Sequence, residues 1–280
     1  MSESMSSPVT GTAAGVPYVA VPPLRADREN APLVVAWHLM DPPRTPAAFQ
    51  AAIPLDGLDA WRVYLTLPMF GERMRAGGMD EIFGLMGEDA VLKFYGPVEL
   101  DAAAEFPAAL ADLQSQLAIM STSLGLMGGS AGGAVVQTLL AEADLDVRAA
   151  VLISPVVRLR DLIDSFEQIT YQWSPESDAV AARLDFVARA GEIARRRPGL
   201  PIRTIAGADD EACMLDPIRE QEAAFAGLAA SGTPIRADLQ ILDGMGHGVA
   251  DEPGIEPAPQ NTDAVRVDAL ATEWFREHLQ

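Results

Sequence analysis

An α/β architecture, a mostly parallel sheet with helices on both faces, is what this sequence predicts, and three features predict it. Continuous apolar runs of strand length alternate with segments of helical spacing, and the connections between them are short. Strands buried on both faces read as unbroken apolar runs, which is the signature of parallel sheet. The third feature is the middle of the chain, Leu124 to Leu140 (LGLMGGSAGGAVVQTLL), where two apolar runs meet in a glycine cluster holding one serine.

Taken in order, residues 1 to 16 are rich in Ser, Thr, Gly and Ala and are expected to be a disordered tail ahead of one domain spanning 17 to 280. Tyr18 to Pro23 reads as a short edge strand limited by two prolines, and Leu33 to Met40 (LVVAWHLM) as a buried strand. Thr45 and Pro46 are the N-cap and first residue of a helix, and Trp61 to Pro68 (WRVYLTLP) is the next strand. From Met69 to about Gly96 the signal weakens into a loop with four methionines, Met69, Met74, Met79 and Met86, a composition suited to the wall of an apolar pocket. Leu100 to Leu117 recovers helical spacing, with Phe106, Leu110, Leu113 and Leu117 on one face. After the glycine cluster comes a helix from about Ala131, then a strand in Val147 to Val157.

There the alternation pauses. Leu159, Leu162, Ile163, Phe166, Ile169 and Trp173 fall near one helical face, and a second helix from roughly Asp178 to Arg197 ends at Pro198-Gly199. The insertion 158–197 is expected to cover the serine as a small helical lid. Pro201 to Ala206 resumes the sheet, Pro217 to Ala230 is a helix with Asp216 as cap, Ile235 to Leu242 is the last strand, and Asp263 to Leu279 closes the chain as a helix.

Composition narrows the function. A net charge of −20, with Lys93 the only lysine, argues against nucleic-acid binding and against anionic membranes, because both need clustered positive charge. A single cysteine, Cys213, excludes an intrachain disulfide and leaves a small packed side chain as its role. No run approaches the ~20 apolar residues that span a bilayer, and the first residues do not read as a secretory signal, so a soluble cytoplasmic protein is expected. A glycine-rich turn can cradle phosphate, but no lysine follows this one and its spacing fits neither nucleotide fingerprint. Three scattered histidines show no metal-ligand spacing.

The chemistry gathers at strand ends. Gly128-Gly129-Ser130-Ala131-Gly132 matches G-x-S-x-G, in which a sharp strand-to-helix turn lifts the serine out and only glycine fits where the two backbones crowd. A serine hydroxyl becomes a nucleophile when an imidazole takes its proton and a carboxylate fixes that imidazole. His247, among glycines after the last strand, has the position a base needs; His278 lies near the C-terminus as a surface residue and His38 precedes the serine. Asp209 and Asp210 both follow the strand ending at Gly207 and are the candidate acids, while Asp216 and Asp243 read as helix cap and turn residue.

In chain order Ser, acid, His, and over about residues 18 to 280, the sequence resembles α/β-hydrolase-fold serine hydrolases of the esterase and lipase type, with a more distant likeness to prolyl-oligopeptidase and dienelactone-hydrolase domains. The resemblance implies that Gly207-Ala208-Asp209-Asp210 follows the family's G-x-x-D, which selects Asp210 as the acid. It implies an oxyanion hole from the amide of Ala131 and a second amide in the family's His-Gly-x turn, here His38-Leu39-Met40, with Met40 as donor and His38 supporting the loop. Leucine in place of the glycine departs from the family pattern and leaves Leu39 as the alternative donor. No cofactor is implied. The expected substrate is a small-molecule carboxylic ester, its pocket walled by Phe166, Tyr171, Trp173 and the 69–86 segment. A peptidase, a thioesterase or acyltransferase, and a ligand-binding protein without activity are the alternatives on the same fold.

Overall fold

The structure, a computed structural model, describes residues 8–25, 27–166 and 170–279. Eight strands form one sheet in the order β1-β2-β4-β3-β5-β6-β7-β8. They are β1 (Val9–Ala13), β2 (Val16–Val21), β3 (Leu33–Trp37), β4 (Trp61–Leu65), β5 (Leu124–Gly129), β6 (Val147–Ile153), β7 (Pro201–Gly207) and β8 (Arg236–Leu242). β2 runs antiparallel to both β1 and β4, and every pairing from β4 through β8 is parallel. Every residue of the inner strands β3, β4 and β5 is buried, as their continuous apolar runs require.

Two apolar clusters lie on opposite faces of this sheet. One packs α1 (Pro46–Ala52) and α9 (Thr262–His278) through Phe49, Tyr64, Met127, Trp274 and Phe275. The other packs α3 (Ala102–Gln116), α4 (Ala131–Glu142) and α8 (Ala212–Ala230) through Trp37, Phe106, Val135, Leu139 and Phe225. α4 is buried from Ala131 through Ala141, an all-round apolar helix at the centre of the molecule. Thr45 caps α1, its side chain accepting from the Ala48 amide at 3.1 Å, with Pro46 in the first turn.

Four elements depart from the sequence expectation. Within the segment expected as a disordered tail, Val9–Ala13 is strand β1, which pairs along the outside of β2; Tyr18 therefore sits in an inner strand, not at the edge. The 69–96 stretch is not a loop: α2 (Gly78–Ala90) runs to a break at Asp89, and Val91–Tyr95 and Pro97–Asp101 then wind as π-helical segments into α3. α8 begins at Ala212, not at Pro217. Pro217 cannot donate to the Cys213 carbonyl, yet burial of Met214, Leu215, Pro217 and Ile218 carries the helix through it. Asp216 is consequently no cap but lies on the exposed face, paired with Arg219 at 3.5 Å.

The insertion holds three short helices, α5 (Leu159–Asp164), α6 (Pro175–Arg183) and α7 (Ala190–Arg196). It is tied to the body by the Phe186 amide donating to the Val157 carbonyl at 2.8 Å. The buried Gln221 side chain adds a second tie, donating to both Gln137 and the Phe186 carbonyl. Ile169, expected on its apolar face, lies outside the described residues. Among the described residues no helix is long and apolar enough to cross a membrane.

Candidate active site

The loops that carry Met40, Ser130, Asp210 and His247 leave the carboxyl ends of β3, β5, β7 and β8. In an open parallel sheet that is where ligand sites gather. Ser130 stands between β5 and α4 at φ 49°, ψ −117°, a strained conformation for a residue with a side chain. The neighbouring glycines make room for it. A Cβ on Gly128 would lie 2.1 Å from the Gly132 carbonyl oxygen, and one on Gly132 would lie 2.4 Å from the Trp37 carbonyl oxygen.

The structure brings Ser130, His247 and Asp210 into one chain of hydrogen bonds. His247 Nε2 lies 2.9 Å from Ser130 Oγ, and His247 Nδ1 lies 3.0 and 3.1 Å from the two carboxylate oxygens of Asp210. The Asp210 side chain is fully buried, and one of its oxygens also accepts from the Glu211 amide at 2.8 Å. Asp209 is exposed, and its backbone amide donates to the Met245 carbonyl at 2.9 Å, so the turn directs Asp210 inward and Asp209 outward. Burial by itself would lower the pKa of His247. The hydrogen bond and charge of Asp210, joined by the charges of Asp41 and Glu211, outweigh it and hold that pKa above the ordinary histidine value.

His38 is wholly buried, and burial pushes its pKa down to about 4, so its ring is neutral. The Leu67 amide donates to its Nε2 at 3.2 Å, which leaves Nδ1 as the donor to the Leu39 carbonyl at 2.6 Å. Carbonyl and amide of a trans peptide point in opposite directions, so this bond turns the Met40 N–H away from His38. Leu39 avoids positive φ altogether. Its buried side chain packs over Gly129, where a Cβ would come within 2.2 Å of it. Among the described residues neither the Met40 nor the Ala131 amide has a protein acceptor, and both residues line the same cavity as Ser130 and His247.

That cavity has a volume of about 330 Å³. Its apolar wall includes Met86 and Tyr95 from the α2 and π-helical stretch, Leu162 and Phe166 from the start of the insertion, and Met214 from α8. Phe166 and Met86 are thus where the sequence suggested, but Tyr171 and Trp173 are not in the wall. The Tyr171 hydroxyl donates to Asp89 at 2.6 Å, and the Trp173 ring carries the Arg160 guanidinium 3.7 Å from its centroid. Among the described residues of the 158–197 insertion, those lining the cavity are Leu162 and Phe166; α7 packs instead on α4 and α8. Met69, Met74 and Met79 do not line it.

Sequence reasoning missed Asp41, which lines the cavity with its carboxylate 3.8 Å from His247 Nε2. Its position directly after Met40 was the one available signal. His278 was also misread as a solvated residue. Its ring packs edge-on against Trp274, one helical turn earlier, at 4.3 Å between centroids. Cys213 is half-buried, its thiol donating to Glu211 at 3.6 Å. Among the described residues no group of three His, Cys, Asp or Glu side chains is arranged to hold a metal ion.

No protein-family model and no curated protein matches the sequence. Solved structures do. TT1662 from Thermus thermophilus aligns over 98% of this chain and 98% of its own, with a TM-score of 0.66 and 16% identity. Acylaminoacyl peptidase from Pyrococcus horikoshii aligns over 98% of this chain with a TM-score of 0.68 and 16% identity, and a puromycin-hydrolyzing peptidase from Mycobacterium tuberculosis over 97% with a TM-score of 0.66 and 16% identity. This chain spans 42% and 40% of the length of those two peptidases. The near-complete alignment with TT1662 and the mostly parallel eight-stranded sheet flanked by helices identify the architecture: the chain has the α/β-hydrolase fold.

Proposed function

We propose that the chain is a serine hydrolase that cleaves carboxylic esters through an acyl-enzyme. The observation that carries this reading is the continuous path from Ser130 Oγ to His247 Nε2 at 2.9 Å and from His247 Nδ1 to Asp210 at 3.0 Å. In this reading Ser130 Oγ attacks the acyl carbonyl while His247 Nε2 takes its proton, and Asp210 holds the ring and stabilises the imidazolium. The amides of Met40 and Ala131 donate hydrogen bonds to the developing oxyanion, Ala131 with the added help of the α4 N-terminus. His247 then gives the proton to the leaving alkoxide, and a water activated by the same imidazole releases the acid. Every step is proton transfer and acyl transfer among these residues, substrate and water.

An ester with a modest apolar acyl or alcohol part suits a cavity of about 330 Å³ walled by methionine, leucine and aromatic side chains. The second reading is a peptidase, favoured by the puromycin-hydrolyzing and acylaminoacyl peptidases that share the fold. Steady-state hydrolysis of short-chain p-nitrophenyl esters against aminoacyl p-nitroanilides decides between them. The ester reading expects the larger kcat/KM on esters, abolished by Ser130→Ala. A larger value on the anilides, equally dependent on Ser130, would transfer the assignment to the peptidase.

A further inference from the structure

The charge inside the cavity is one-sided. Among the described residues its charged lining consists of Asp41, Asp210 and Glu211 with His247, and no arginine or lysine lines it. Two of the three acids are already engaged: Asp210 holds His247, and Glu211 accepts from the Cys213 thiol. Asp41 is different. Among the described residues it accepts no hydrogen bond, and the one basic side chain within 4 Å of it is His247, whose Nε2 at 3.8 Å is already hydrogen-bonded to Ser130.

The Asp41 side chain is 55% exposed, so in the free site water solvates its carboxylate, and a substrate that covers the cavity removes that water. Asp41 directly follows Met40, which on the serine-hydrolase reading supplies an amide to the developing oxyanion. A carboxylate beside a developing oxyanion raises the barrier, and more so as substrate excludes water from the cavity. A positive group on the substrate, close to the scissile carbonyl, would remove that conflict and form a charge-assisted hydrogen bond with Asp41. The apolar wall of Met86, Tyr95, Leu162, Phe166 and Met214 leaves room beside that group for a hydrophobic side chain.

On the reading of the site as a serine hydrolase, we propose that Asp41 is a specificity-determining residue. It selects acyl substrates that carry a protonated amine next to the scissile carbonyl: α-aminoacyl derivatives with an apolar side chain. Such a substrate brings its ammonium to Asp41 when its carbonyl oxygen lies against the Met40 and Ala131 amides. Its deaminated counterpart leaves the carboxylate unanswered.

The test compares the methyl esters of leucine and of 4-methylpentanoic acid, which differ only in the α-amine, at a pH of about 7 where an α-amino group is mostly protonated. Wild type should show the higher kcat/KM on the leucine ester. Asp41→Asn should lower the ratio of the two kcat/KM values by roughly 10- to 100-fold, the worth of one hydrogen bond to a charged group. A ratio is the right readout because any effect of Asp41 on His247 itself moves both esters alike and cancels. Hydrolysis of the 4-methylpentanoate ester also reports that the variant is folded.

An unchanged ratio in Asp41→Asn, or a wild type that hydrolyses both esters through Ser130 without preferring the amine, overturns this proposal and leaves the hydrolase reading standing. A wild type that hydrolyses neither methyl ester overturns this proposal, and it overturns the hydrolase reading as well if it also leaves the p-nitrophenyl esters and aminoacyl anilides intact.

Discussion

Ser130 holds a backbone conformation, φ 49° with ψ −117°, that side-chain-bearing residues avoid, at a cost of roughly 1–3 kcal/mol. It is kept there by contacts that only glycine permits at 128 and 132, where any Cβ would sit inside backbone atoms. That requirement is what made the serine legible in the sequence, since the glycine spacing records the crossing of strand and helix. His247 was legible by elimination among three histidines. Asp210 was less so, because two adjacent aspartates fit the same turn and only the fold decides which is buried. Substitution separates them. Asp210→Asn should lower kcat by about 10⁴-fold, as loss of an orienting carboxylate does, while Asp209→Asn changes it little, measured on one p-nitrophenyl ester. Equal losses would show that burial is not what distinguishes the two.

At the scale of the element, the sequence was read well where helices and strands bury one clear face and poorly where they do not. α2 keeps helical spacing in Met79, Ile82, Phe83 and Met86, but it buries only Ile82 and Ala90, leaves Met79 and Phe83 exposed, and carries glycines at 78, 84 and 87 that suggest a loop. The π-helical segment after it hides Glu99 entirely, with neither carboxylate oxygen hydrogen-bonded among the described residues. Burial pushes the Glu99 carboxyl well above the usual carboxylate range. A raised folded pKa means that the fold retains a proton the unfolded chain gives up. The associated stability is complete below the ordinary glutamate value and is lost as pH rises through the folded one. Glu99→Gln, which cannot ionise, should therefore gain in Tm relative to wild type between about pH 5 and pH 8. Thermal melts at the two ends of that range check it. A difference in Tm that does not change with pH would place the ionisation of Glu99 outside the stability of the fold.

Across the whole molecule, parallel strands buried on both faces announced themselves as apolar runs, and the order of chemistry along the chain followed the order of strand ends. For that reason the fold and the meeting of Ser130, Asp210 and His247 could be anticipated together. β1 could not, because a short outer strand of small polar residues has the composition of a tail. Nor could the cavity wall, since Met86, Tyr95, Phe166 and Met214 come from four separate stretches of the chain and meet only once the sheet has formed. The net charge of −20 is spread over the surface, yet it also enters the cavity through Asp41 and Glu211, which no sum over the sequence could reveal.

The central claim, that Ser130 is a nucleophile activated by His247, is met most directly by an alkyl fluorophosphonate and intact-mass measurement. Wild type should gain a single probe equivalent, mapped by peptide digestion to Ser130, and Ser130→Ala should gain none. A folded wild type that stays unlabelled, or a Ser130→Ala variant labelled as fully as wild type, would contradict the account.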